Sequence, residues 1–132
     1  MHFVRKFVCV LALLMVAAAA AQEGYPLIGT WSGEWGPSPK QRTQVVVVME
    51  WDGKTLSGII NPCFPDAAPI RAGDLDSTKW AVHLEAESKD EGGKPVRIII
   101  DGKLENIGSY NRTLSGTWTQ GNVNGDFKLT RD

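Results

Sequence analysis

Residues 79–88, Lys79-Trp80-Ala81-Val82-His83-Leu84-Glu85-Ala86-Glu87-Ser88, set Trp80, Val82, Leu84 and Ala86 at every second position, with His83, Glu85 and Glu87 between them. A period of two is the signature of a strand with one face in a core and the other in water. The same pattern recurs outward from this stretch in short runs, and no sustained helical period interrupts it. Eight runs are read: Leu27–Gly36, Arg42–Asp52, Thr55–Asn61, Ile70–Asp76, Lys79–Ser88, Pro95–Glu105, Thr113–Gln120 and Gly125–Arg131. Turn chemistry separates them. Asp52-Gly53 divides the second and third, Asp90-Glu91-Gly92-Gly93 the fifth and sixth, and Gly121 to Gly125 the seventh and eighth, each reading as a hairpin. Asn61-Pro62-Cys63-Phe64-Pro65 to Pro69 reads instead as an extended loop, because prolines cannot donate to a ladder.

Parity assigns the inner faces. Trp31, Gly33 and Trp35 point inward from the first run, Val96, Ile98 and Ile100 from the sixth, Leu114, Gly116 and Trp118 from the seventh, and Phe127 and Leu129 from the eighth. In the second run Val45, Val47, Met49 and Trp51 form the inner set, yet Val46 and Val48 make the outer face apolar too, so a cover over that face is expected. Mid-strand glycines at 33, 58, 102 and 116 let strands coil sharply, as closure of a sheet on itself requires, although Asp101-Gly102 also suits a further hairpin turn. A closed, up-and-down antiparallel barrel of eight strands leaves neither an exposed edge nor an uncovered apolar face. A barrel of that size is either filled by its own side chains or holds one small ligand. Five tryptophans either plug such an interior or line a pocket in it.

The chain opens with Arg5 and Lys6, an apolar run from Phe7 to Val16, and small residues from Ala17 to Ala21. This is the layout of a cleaved secretory signal, expected to span residues 1–21 and to leave a single domain over residues 22–132. The apolar run is short for a membrane span. Export to the periplasm or the extracellular space follows, with no membrane span after cleavage. The formal net charge of −1 grows more negative once Arg5 and Lys6 leave, and no basic run exists, so a nucleic-acid partner is not expected. Cys9 falls in the signal, which leaves Cys63 as the one cysteine of the mature chain, unable to form an internal disulfide.

Catalytic chemistry finds no constellation. His83 is the one histidine after residue 21, and its parity puts it on the polar face. No Cys or His pair has zinc spacing, and neither Asp74 with Asp76 nor Asn122, Asn124 and Asp126 follows a calcium loop. No cofactor, metal or enzymatic activity is expected. Asn111-Arg112-Thr113 is a glycosylation sequon. Short segments recur, Lys54-Thr55-Leu56-Ser57-Gly58 against Arg112-Thr113-Leu114-Ser115-Gly116, and read as repeated strand chemistry rather than a duplicated domain.

Leu27-Ile28-Gly29-Thr30-Trp31-Ser32-Gly33, Leu114-Ser115-Gly116-Thr117-Trp118-Thr119-Gln120-Gly121 and Phe127-Lys128-Leu129-Thr130-Arg131 resemble the small lipocalin-like (calycin-type) barrel modules of exported bacterial proteins. Such modules often precede a secreted hydrolase and have no assigned role of their own, so the resemblance implies a fold and not an activity. Avidin-type barrels also open on a Gly-Thr-Trp strand, but their biotin-holding positions have no counterpart after Ser32-Gly33-Glu34. Two functions are expected. The first is a non-enzymatic barrel holding a small, partly apolar molecule at one open end, with Trp31, Trp35, Trp51 and Trp80 as the contacts. The second is a protein-interaction or protease-inhibitor-like module acting through residues 22–26 and the loop around Cys63 and Phe64.

Overall fold

Alternation places an apolar comb on one side of each strand, and eight such combs bury one another only when the sheet curls shut. In the computed structural model, which describes residues 25–109 and 111–131, this is the outcome. A 3-10 turn at Tyr25–Leu27 leads into β1 (Gly29–Ser38), β2 (Gln41–Trp51), β3 (Leu56–Ile60), β4 (Ala68–Asp76), β5 (Ala81–Lys89), β6 (Pro95–Glu105), β7 (Thr113–Gln120) and β8 (Val123–Arg131). Each strand pairs antiparallel with the next, and β8 returns to β1 through Trp31↔Arg131 to Gly36↔Asp126, closing the barrel. The eight-stranded up-and-down barrel expected from the sequence is therefore the fold, and it is compatible with a lipocalin-like architecture. Expected residues 1–21 of the signal, and residues 22–24 of the arm, lie outside the described residues.

The inner faces follow parity. Trp31, Val47, Met49, Leu84, Ile98, Ile100, Leu114, Trp118 and Leu129 are buried in one continuous core. β6 runs unbroken through Gly102, which pairs with Val82 and Gly116, so Asp101-Gly102 is strand and not turn. The last hairpin is tighter than expected: β8 starts at Val123, and Gly125 lies in the strand because the backbone carbonyl of Gly36 comes too close for a side chain there. On the outer face of β2, Val48 is buried between its cross-strand neighbours Thr30 and Ile59, and the Pro-rich loop closes beside Val46. Asn61 makes that closure: its N–H donates to the Val46 carbonyl at 2.7 Å, and its side-chain oxygen accepts from the Val46 N–H at 3.1 Å.

Two readings change. Trp80 is not part of β5; its φ of 54° puts it in the left-handed region, and it packs on the core from the β4–β5 turn. That turn is shaped by Asp76, whose carboxylate accepts from the N–H groups of Thr78 and Lys79, and by the Trp80 carbonyl, which accepts from Leu104 N–H at 2.9 Å. Cys63 is not a lone thiol either: it is disulfide-bonded, its partner lying outside the described residues. The expectation of a single cysteine applies to a chain without Cys9, whereas the full chain has two cysteines.

The barrel has two unlike ends. Tyr25–Leu27, the turns after β2 and β4, and the loop after β6 gather at one end, the floor. Leu27 plugs it, fully buried, and its carbonyl accepts from the Trp31 indole N–H at 2.8 Å. Arg112 ties the plug down by donating to the carbonyls of Ile107, at 2.8 Å, and Pro26, at 3.3 Å. The other end, the mouth, carries the β1–β2, β5–β6 and β7–β8 turns and the Asn61–Ala67 loop.

Candidate functional site

The four tryptophans expected to share a ligand are spread along the barrel. Trp31 is wholly buried above the floor plug and serves as core. Trp51 and Trp80 pack against the core at the floor, at the end of β2 and in the β4–β5 turn, and the buried Trp51 indole nitrogen has no hydrogen-bond partner among the described residues. Trp35 is at the opposite end. Its register with Thr43 and Phe127 sets it just inside the mouth.

Trp35 has a neighbour there that was assigned to the core only. Trp118 of β7 stacks on it with centroids 5.4 Å apart and planes 14° apart, and Phe127 meets Trp118 edge-on at 5.8 Å. Such geometry adds roughly 0.5–1.5 kcal/mol beyond area burial for each aromatic pair. Around the stacked pair lies a cavity of about 150 Å³, walled by Val45, Ile60 and Ile98 and rimmed by Thr43, Asn61, Asp66 and Gln120. Drug-sized ligands take pockets of roughly 300 Å³ and more, so this cavity suits only a small molecule, on the scale of an aromatic ring.

The polar rim is ordered from within. The Trp118 indole N–H donates to the side-chain oxygen of Gln120 at 3.1 Å, which leaves the Gln120 amide group as a donor. The Asn61 amide group donates to Asp66 at 3.1 Å while its oxygen is held by Val46. With φ at 52°, Asn61 holds a left-handed conformation that asparagine tolerates better than most residues. Thr43, Gln120 and Trp118 were each legible by parity as inward residues on the mouth halves of β2 and β7. Asn61 was not, because as the last residue of the third run it has outward parity, nor was Asp66, since a loop has no period.

A larger hollow of about 470 Å³ lies on the outer face, over β4 to β7, bordered by Asp74, His83, Asp101, Lys103 and Thr117. His83 sits in it between two carboxylates, Nδ1 at 2.5 Å from Asp101 and Nε2 at 2.9 Å from Glu85, and Arg97 donates to Glu85 at 2.5 Å. The hydrogen bonds to Asp101 and then to Glu85 raise the His83 pKa, and those from His83 and Arg97 lower that of Glu85. Two carboxylates against the two ring nitrogens favour the doubly protonated form of His83, which is a poor state for a general base. The hollow is a solvated cross-strand network on an open surface. The mouth cavity, enclosed and aromatic, is the better candidate.

Comparison with known proteins gives no match: no family model, no curated protein and no solved structure pairs with this chain. Among the described residues no helix is long and apolar enough to cross a membrane, and no group of His, Cys, Asp and Glu is placed to hold a metal ion.

Proposed function

We propose that the chain is an exported, non-enzymatic binding barrel of the lipocalin-like kind, and that it holds one small, partly apolar molecule in the mouth. The observation that supports this most is the cavity beside the Trp35–Trp118 stack, where apolar walls meet a rim of Thr43, Asn61, Asp66 and Gln120. Apolar walls supply affinity and a few fixed polar groups supply orientation. The N-terminal charge and apolar run support delivery through a cleaved signal. An interaction module remains a second reading, supported by Phe64, which is 37% exposed on the Pro-rich loop. The arm of that reading, expected over residues 22–26, ends before Pro26, because Pro26 is buried at the floor.

Indole N–H resonances separate the readings. A library of small neutral and charged fragments added to the full chain should shift the Trp35 and Trp118 signals and leave those of Trp31, Trp51 and Trp80 in place. Shifts confined to the floor tryptophans, or none at all, would remove the mouth as a binding site.

A further inference from the structure

The rim of the mouth has an imbalance of charge. Asp66 is the one ionisable side chain lining the cavity, and no Lys or Arg joins it. Arg42, the basic residue next to Thr43 on β2, turns to the outer face, where it donates to Glu34, to the Gly36 carbonyl and to Asp126. Glu34 and Asp126 thus occupy the only guanidinium near the mouth along that strand. Of the neutral rim groups, the Gln120 oxygen is taken by Trp118 and the Asn61 amide group by Asp66. An anion entering the cavity would meet a carboxylate, with only the neutral amide and hydroxyl donors of Asn61, Gln120 and Thr43 to receive it.

A cation meets the reverse. The stacked indoles of Trp35 and Trp118 border the same small space as the Asp66 carboxylate, and an indole face that the stack leaves uncovered carries negative electrostatic potential. Aromatic surface with a nearby carboxylate is the chemistry that recognises ammonium groups, and a volume of about 150 Å³ admits one compact group of that type. We propose that the mouth is a site for a small organic cation, an alkylated or aromatic ammonium group seated against Trp35 and Trp118 and facing Asp66. The proposal rests on the mouth being a binding site and adds the class of ligand.

Choline and 3,3-dimethylbutan-1-ol have the same shape, with a charged nitrogen in one and a neutral carbon in the other. Each is titrated into the full-length protein at constant ionic strength while the Trp35 and Trp118 indole signals are followed. Choline should bind at least about tenfold more tightly than the alcohol. Asp66→Asn should bring the two to within about twofold, and Asp66→Glu, which keeps the charge, should retain most of the preference. Equal affinities, tighter binding of the alcohol, or a preference untouched by Asp66→Asn would overturn the cation assignment and leave the mouth as a neutral site. Silence from both probes and from the fragment library would overturn both.

Discussion

Gly58 shows how closely neighbouring backbones approach in this barrel. Its φ of 144° is one that side-chain-bearing residues rarely adopt, and a Cβ built there would lie 1.9 Å from the Val48 carbonyl oxygen. Neither strand can give way without breaking the β2–β3 register, in which Gly58 faces Met49. Gly58→Ala is expected to cost about 2 kcal/mol or more. Gly93, also left-handed at φ 79° but with open space around it, is the control: alanine there should cost only about 1 kcal/mol. Chemical denaturation of the two variants beside the parent checks both, and equal losses would show that backbone conformation matters and close approach does not. The sequence pointed to Gly58 as a place where a strand coils; which carbonyl it makes room for depends on register, which no single strand contains. Trp80 marks a similar limit. Its spacing fits the β5 comb, yet the hydrogen bond to Leu104 from the neighbouring chain segment holds it in a turn.

Strands β5 and β6 share nine register pairs and carry the polar network on their outer face. His83 faces Asp101 across the pair and Asp74 on the β4 side, with Glu85 and Arg97 next along the face. Because folding raises the His83 pKa above its ordinary 6.5, the stabilisation it brings is complete below pH 6.5 and fades as pH rises through the folded value. Glu85 acts in the opposite sense: its pKa is held below 4.5, so its contribution is present above pH 4.5 and is lost as pH falls through the folded value. Both are at full effect only between those limits. Exposure and salt keep the His83 share under about 1 kcal/mol. A ring-proton titration of His83 should give a midpoint above 6.5, and Asp101→Asn should move it back toward 6.5. A midpoint unmoved by that variant would assign the shift to Glu85. Alternation in residues 79–88 predicted the polar face, but the sequence could not show that Asp101 lands opposite His83, since that follows from the length of the β5–β6 turn.

Closure of the whole barrel is uneven. β1 and β8 join through six register pairs, whereas β3 and β4 join through only two, Ile59↔Pro69 and Ile60↔Ala68, and Pro69 has no N–H to donate. The fourth run, Ile70–Asp76, has the weakest alternation of the eight for the same reason: a strand whose second residue is Pro69, beside a loop, has little ladder to form. Amide hydrogen exchange should find the Ile59–Ala68 seam opening first, with Ile60 and Ala68 exchanging at least about tenfold faster than Leu84 and Ile100. Uniform protection around the barrel would instead mean that it opens only as one unit. Asn61 and Asp66 stand at this seam, so the loosest part of the wall is also the rim of the mouth.

The chain enters the barrel at Tyr25 and leaves β8 at Arg131, and both positions belong to the floor. Along a strand of ten residues such as β1, the mouth stands roughly 30 Å from that floor. The molecule therefore has a direction. Whatever is joined just beyond β8, whether a bead, a surface or a neighbouring polypeptide, starts from the closed side, opposite the Trp35–Trp118 opening.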